Sequence, residues 1–172
     1  LALTSVDEPD WKNVAGRLKL FELYRKIRSL RGMPKNASPY NYPEFLDYAV
    51  ANGIYTPELK SKYTAEEINI AASFIKPEFD LVYDYAGINL LIKRYLCEYN
   101  DSIVELPQEM FLTIALLIEQ NENKNKRMAQ VEDTYRKLAD RKISLATPLL
   151  MNLRRPHGNL SSCFITMIDR KS

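Results

Sequence analysis

The sequence predicts a mainly α-helical domain that ends in a short β segment, and three observations carry that prediction. Apolar residues recur at helical spacing through most of the chain, start and stop residues bracket each run, and only 5 of the 172 residues are glycine. So few glycines argue against a β-sandwich, a barrel or a nucleotide-binding α/β fold built by this segment alone. With 46% hydrophobic residues the chain can bury a core and does not read as disordered.

The elements follow in order. Ser5-Val6-Asp7-Glu8-Pro9 reads as a helix start, with proline near the first helical position and acids beside the positive end of the dipole. Trp11, Val14, Leu18 and Phe21, then Tyr24 or Ile27, follow at helical spacing and form one apolar face, until Gly32 and Pro34 end the helix. A polar loop from Lys35 to Tyr42 leads to a helix from Pro43 to Asn52, stopped by Gly53. Thr56-Pro57 opens a short piece, and Thr64-Ala65-Glu66-Glu67 is a capping box for a helix to about Ile75, broken by Pro77. Tyr83 to Tyr95 forms the next amphipathic helix, with Tyr85, Ile88, Leu91, Ile92 and Tyr95 on one side.

Asn100-Asp101-Ser102 is a turn, after which Ile103-Val104 can pair briefly with a neighbour. Pro107 opens a strongly apolar helix through Ile118, and Glu119 to Lys126 is a solvated connector. A charged helix covers Lys126 to Asp140, with Met128, Val131, Tyr135 and Leu138 inward. Beyond Arg141 the pattern changes. Ile143 to Ala146 reads as a short strand, Pro148 and Pro156 punctuate a loop, and Cys163 to Ile168 reads as a β-strand. Residues 1–142 are therefore assigned to a helical domain and 143–172 to the start of a second one, since a lone strand with unpaired edges is not stable.

Composition excludes several function classes. Net charge is +2, from 24 basic and 22 acidic residues, which gives no electrostatic case for a nucleic-acid or membrane-surface role. Leu1-Ala2-Leu3-Thr4 is followed at once by Asp7 and Glu8, unlike a signal peptide, and the Met110–Ile118 run is about half a membrane span. Two cysteines make no disulfide framework, and with one histidine they cannot supply a four-ligand zinc site. No glycine-rich phosphate loop is present. The expectation is a soluble, cytoplasmic protein whose thiols stay free, and a chain that begins at Leu1 is expected to start inside a longer protein.

Few residues are left to carry chemistry. Glu66-Glu67 and Glu132-Asp133 fall on polar helix positions and read as solvated surface, and Cys97 reads as a small residue packed at a helix end. His157 lies in a loop between Pro156 and Gly158, and a Cys163–His157 nucleophile–base pair is conceivable. Cys163 sits between hydroxyls and the first apolar residues of its strand, whose alternation sends Cys163 and Ile165 to one face and Ser162 and Phe164 to the other. On spacing alone, a buried structural cysteine outweighs a functional thiol.

Longer motifs carry a resemblance. Ala146-Thr147-Pro148-Leu149-Leu150-Met151-Asn152, then Arg154-Arg155-Pro156-His157, then Leu160-Ser161-Ser162-Cys163-Phe164-Ile165 closely resembles the signature of the ribonucleotide reductase large subunit. In that family a Thr-Pro pair is followed sixteen residues later by a Ser-Ser-Cys strand, the interval from Thr147 to Cys163. Ser5 to Trp11 with Ala15 and Arg17, Tyr63 to Glu67, Asp80 with Tyr85, Lys93 to Leu96, and Leu106 to Met110 look like further landmarks, in order along nearly the whole chain.

The resemblance implies the family's helical N-terminal domain followed by the first strand of its ten-stranded α/β barrel. It implies reduction of ribonucleotides to deoxyribonucleotides by thiyl-radical chemistry, with a cysteine pair that ends as a disulfide. Cys163 looks like the first of that pair, and Thr147, Ser162 and the backbone at Cys163 would line the substrate. The implied partners are the rest of the large subunit, thioredoxin or glutaredoxin, and a radical source, either a metal-containing small subunit or a cobalamin. Nucleotide effectors are implied too, with no cofactor bound by these residues themselves.

The departures matter as much. The radical cysteine, the second reducing cysteine and the acid–base glutamate have no counterpart here, and neither do the nucleotide-binding cone and the effector loop. Arg170-Lys171-Ser172 breaks the family's usual acidic and serine run after Asp169. The expected consequence is a fragment that is inert alone. The alternative is a non-catalytic helical protein-interaction module, in which Cys163 has no redox role.

Overall fold

The computed structural model describes residues 10–163. Helix α1 (Asp10–Leu30) leads to α2 (Tyr42–Ala51), α3 (Glu58–Lys62) and α4 (Ala65–Ser73), followed by a 3₁₀ turn at Pro77–Val82. Next come α5 (Tyr85–Leu90), a π turn at Leu91–Tyr95, and a hairpin of β1 (Glu98–Tyr99) and β2 (Ser102–Ile103). Helices α6 (Pro107–Ile118), α7 (Lys124–Ala139) and α8 (Thr147–Asn152) complete the order. The mainly α fold expected from the sequence is the one observed.

Helix α6 is the axis of the packing. Every residue from Pro107 to Leu117 is buried, so the helix is covered on all sides, as an all-round apolar sequence requires. α7 and the 3₁₀ turn pack on it, α4 packs on α7, and α1 packs on α5 and the 3₁₀ turn. Thr64 caps α4 by accepting from the Glu67 N–H, while the Glu67 carboxylate accepts from the Thr64 N–H, so the expected capping box is present.

The expected turn and pairing are also present. β1 and β2 are antiparallel, with Glu98 opposite Ile103 and Tyr99 opposite Ser102. The turn residues Asn100 and Asp101 both have positive φ, as a tight two-residue hairpin turn demands.

Three expectations need correction. On α1 the face built from Trp11, Val14, Leu18 and Phe21 is the exposed one, whereas Leu20, Leu23, Tyr24 and Ile27 are buried. The helix carries two apolar stripes on roughly opposite sides at 3.6 residues per turn. The stripe beside Gly16 is buried because a residue without Cβ lets the chain at Tyr83 and Asp84 come against the helix. Secondly, the Ile143–Ala146 segment is not a strand: Arg141 has positive φ, Ile143 is exposed, and no described strand lies beside it to pair. Thirdly, Pro148 does not punctuate a loop but sits in the first turn of α8, where its missing N–H costs nothing. The strand expected at Cys163–Ile168 lies outside the described residues beyond Cys163, which is itself in irregular chain.

Candidate functional site

The residues singled out for chemistry are carried by the segment that follows α7. Thr147 is the first residue of α8 and is half-buried, whereas Ser162 and Cys163 are exposed at the far end of the segment. The expectation that Cys163 is buried, drawn from spacing, therefore fails for this chain. Among the described residues no hydrogen bond joins Thr147 to Ser162 or Cys163, and none joins His157 to Cys163. His157 is exposed at the rim of a shallow cavity of about 350 Å³ bounded by Gly53, Cys97, Tyr99 and Arg155.

What fixes this segment is a buried charge that was not read from the sequence as a site. Arg154 has 0% exposure, and its guanidinium forks onto Glu105: Nε donates to Oε1 at 2.6 Å and Nη2 to Oε2 at 2.7 Å. Nη2 also donates to the Tyr95 carbonyl at 2.6 Å, and Nη1 donates to the Leu150 carbonyl in α8. Glu105 is held in turn by the Tyr55 hydroxyl on Oε1 and by the Cys97 N–H on Oε2 at 2.6 Å. The Arg154 carbonyl accepts from the Thr56 N–H at 2.8 Å, so the main chain is bolted down as well. Burial works against the Arg154 charge, but the Glu105 carboxylate outweighs it and holds the guanidinium charged.

The chain beyond Arg154 is held by asparagines. Asn152 Nδ2 donates to the Asn159 carbonyl at 2.8 Å, and Asn159 Oδ1 accepts from the Ser161 N–H at 3.3 Å. Gly158 lies against Asn152 so closely that a Cβ there would fall 2.6 Å from the Asn152 Cβ.

Two more buried polar sites lie deeper, around α6. Asp80 accepts from Tyr24, Tyr40 and Gln108, and Gln108 accepts from Tyr135 at 2.8 Å. Arg31 forks onto Glu109 at 2.7 and 2.8 Å, beneath the Phe45 ring. Burial pushes the Glu109 carboxyl up to about 7, while Arg31 pulls it down. These sites occupy the Asp80 and Leu106–Met110 landmarks, and in this chain their side chains tie helices together. The readable signal was a lone acid inside an apolar run, as in Val104-Glu105-Leu106, which needs a buried partner. Glu67, read as solvated, pairs with nearly buried Arg127 at 2.5 Å, whereas Glu66 is exposed as expected. Cys97 is buried, as expected, and burial next to Glu105 pushes its thiol up to about 12.

Among the described residues no three His, Cys, Asp or Glu side chains are grouped to hold a metal, and no helix is long and apolar enough to cross a membrane.

Comparison with known proteins gives a consistent picture. Residues 81–158 match the family model described as ribonucleotide reductase, all-alpha domain. The chain is 40% identical to the ribonucleoside-diphosphate reductase subunit alpha of Synechocystis sp., over 98% of this chain and 21% of that protein. It is 36% identical to the subunit alpha of enterobacteria phage T4, over 94% of this chain and 21% of that one. For the ribonucleoside-diphosphate reductase 1 subunit alpha of Escherichia coli the identity is 29%, over 95% of this chain and 21% of the relative. The chain thus spans about a fifth of the length of the curated relatives it matches. The chain, with its Thr-Pro helix leading to Ser-Ser-Cys, is similar over nearly its whole length to ribonucleotide reductase alpha subunits, and its residues 81–158 match that family's all-alpha domain.

Proposed function

We propose that this chain is the N-terminal part of the catalytic subunit of a ribonucleoside-diphosphate reductase. The helical domain, 1–142, serves as a scaffold, and 143–172 begins the catalytic barrel. The observation that carries the reading is the contrast between the two cysteines: Cys163 is exposed at the end of a bolted segment, and Cys97 is buried. An exposed thiol can reach a partner sulfur and a reductant, which a buried one cannot.

In the proposed reaction a ribonucleoside diphosphate loses its 2′-hydroxyl as water and gains hydrogen in its place. The two electrons come from a dithiol that becomes a disulfide. Cys163 supplies one sulfur, and its partner sulfur lies elsewhere in the subunit, within the Cα separation of about 5.5–6 Å that a disulfide requires. Thr147, Ser162 and the backbone at Cys163 line the nucleotide. A radical source, from a metal-containing small subunit or a cobalamin, acts from outside these residues. Thioredoxin or glutaredoxin re-reduces the pair, nucleotide effectors act elsewhere on the subunit, and the setting is cytoplasmic.

The test replaces the matching segment of the Synechocystis subunit alpha with this chain and follows nucleotide reduction with a dithiol reductant. Cys163→Ser should abolish multiple turnover, and Cys97→Ala should keep it. Undiminished turnover in Cys163→Ser overturns the reading. The 172-residue chain by itself should reduce no nucleotide, since it has only 2 cysteines and one is buried.

One observation favours a second reading, a helical interaction module: the stripe of Trp11, Val14, Leu18 and Phe21 is exposed on α1. Under it, Cys163→Ser leaves partner affinity intact and has no catalytic consequence.

A further inference from the structure

We propose that Glu105 and Arg154 are positioning residues: their buried fork sets the register of the 147–163 segment and so presents Thr147, Ser162 and Cys163 to the nucleotide. This rests on the function proposed above and names the device that orients its site.

The argument starts from where Arg154 stands. It lies between Thr147 and Cys163 in the chain, and it is the largest fully buried side chain among the described residues. A buried ion pair is poor evidence of stability, because apolar residues of similar volume often hold a fold equally well. What a bidentate fork adds is direction, since two parallel N–H···O bonds tolerate neither slippage nor rotation. Here the acceptor of the fork is itself immobile, pinned by the Tyr55 hydroxyl and the Cys97 N–H from two other parts of the chain.

The fork also reaches the site in both directions. Upstream, Arg154 Nη1 bonds the Leu150 carbonyl in α8, the short helix that Thr147 opens. Downstream, the asparagine clamp from Asn152 to Asn159 and on to the Ser161 N–H leads to Ser162 and Cys163. No described hydrogen bond other than that from the Thr56 N–H to the Arg154 carbonyl ties residues 151–163 to the helical body independently of the Arg154 side chain. A shift at Arg154 is therefore passed on to both ends of the site. Misplacing a reacting group by about 1 Å can cost a hundredfold in rate.

The experiment uses Arg154→Lys, which keeps the charge and loses the fork. The paired variant Glu105→Leu with Arg154→Met removes both charges together, so that a folded protein is obtained even if lysine leaves Glu105 poorly partnered. Val131→Ala in α7, buried and not a member of the fork's hydrogen-bond network, serves as a control that destabilises without touching the fork. In the 172-residue chain, hydrogen exchange should rise about tenfold or more across 147–163 in both fork variants and stay unchanged in α6 and α7. Val131→Ala should show the reverse. In the Synechocystis chimera, the fork variants should lose about a hundredfold in kcat/KM, with a raised KM for the nucleotide. The single-turnover yield of deoxynucleotide formed by pre-reduced enzyme without reductant should fall as well, which a loss of stability alone does not cause below the unfolding temperature.

Folded fork variants with wild-type exchange at 147–163, or with wild-type KM and kcat, overturn the positioning role. If Cys163→Ser is inactive while Arg154→Lys is fully active, the function stands and only the positioning role falls. An active Cys163→Ser chimera overturns the function and the positioning role together.

Discussion

Gln108 Nε2 donates to Asp80 Oδ1 at 2.7 Å, and both side chains are out of contact with solvent. The carboxylate faces no cation within this cluster: its other donors are the Tyr24 and Tyr40 hydroxyls. Burial raises the Asp80 carboxyl above its usual 3.8, with the three hydrogen bonds working the other way. An acid whose folded pKa is raised binds its proton more tightly when folded. Its stabilising share is full below the unfolded value of 3.8 and declines as pH rises through the folded pKa. Asp80→Asn should remove that slope, because the Gln108 amide can turn over and offer Oε1 to the new amide. Asp80→Ala should cost roughly 2–4 kcal/mol, since three donors lose their acceptor. Urea unfolding across a pH series checks both, and an unchanged pH slope in Asp80→Asn would sink the assignment.

The opposite sign holds at Glu67. Burial alone raises its carboxyl, but the Arg127 guanidinium and the Thr64 N–H outweigh it, so the net shift is below the usual 4.5. Its stabilisation is present above 4.5 and is lost as pH falls through the lowered folded value. Glu67→Gln should flatten the acid limb of the stability profile and cost roughly 1–3 kcal/mol at neutral pH. Arg127 stacks on the Tyr63 ring at 4.2 Å, so the arginine should keep its place in that variant. Thr64→Ala removes the other half of the capping box and should cost about 1 kcal/mol. The two losses should not add, because both act on one helix end.

Gly16 marks the place where α1 meets the turn before α5. A Cβ there would lie 2.5 Å from the Tyr83 carbonyl oxygen and 2.6 Å from the Asp84 carbonyl carbon, and backbone atoms cannot swing aside. Alanine is the better helix former by about 1 kcal/mol, but the clash should win, giving a net loss of roughly 1–3 kcal/mol. At this size that lowers Tm by about 2–4 °C for each kcal/mol. A Gly16→Ala protein that melts at or above the wild-type temperature would show that α1 is not held against Tyr83.

Local chemistry made much of this fold readable. The Thr64 capping box, the Asn100-Asp101 turn and the apolar α6 were each specified within a few residues, and each appears in the structure. The failures involve choices made by distant residues. Trp11, Val14, Leu18 and Phe21 are as periodic as the buried stripe of α1, and only the approach of Tyr83 to Gly16 decides which side is covered. Ile143 to Ala146 has strand composition but no described neighbour with which to pair. The π turn at Leu91–Tyr95 leaves the helical spacing of its apolar residues nearly intact, so periodicity could not reveal it. Of the candidate site, the motif residues were legible as motifs. The fork joining Glu105 to Arg154 spans 49 residues, and nothing in local spacing joins the two.

The two thiols should differ sharply towards Ellman's reagent. Cys163 is exposed, so its sulfur is open to the reagent in the native chain. Cys97 has 2% exposure, its N–H is committed to Glu105, and its thiol is pushed up to about 12 by burial first and by the Glu105 charge second. Only the thiolate attacks a disulfide, and at pH 8 a group with that pKa is ionised to about one part in ten thousand. The native chain should therefore release one equivalent of thionitrobenzoate quickly and a second only as it unfolds, giving both of its 2 cysteines in denaturant. Cys163→Ser should remove the fast equivalent and leave the slow one. The rate at Cys97 should be limited by opening of the α5–β1 region. Two fast equivalents in the native chain, or a fast one surviving Cys163→Ser, would mean that Cys97 is accessible and that the contrast behind the proposed redox role is absent.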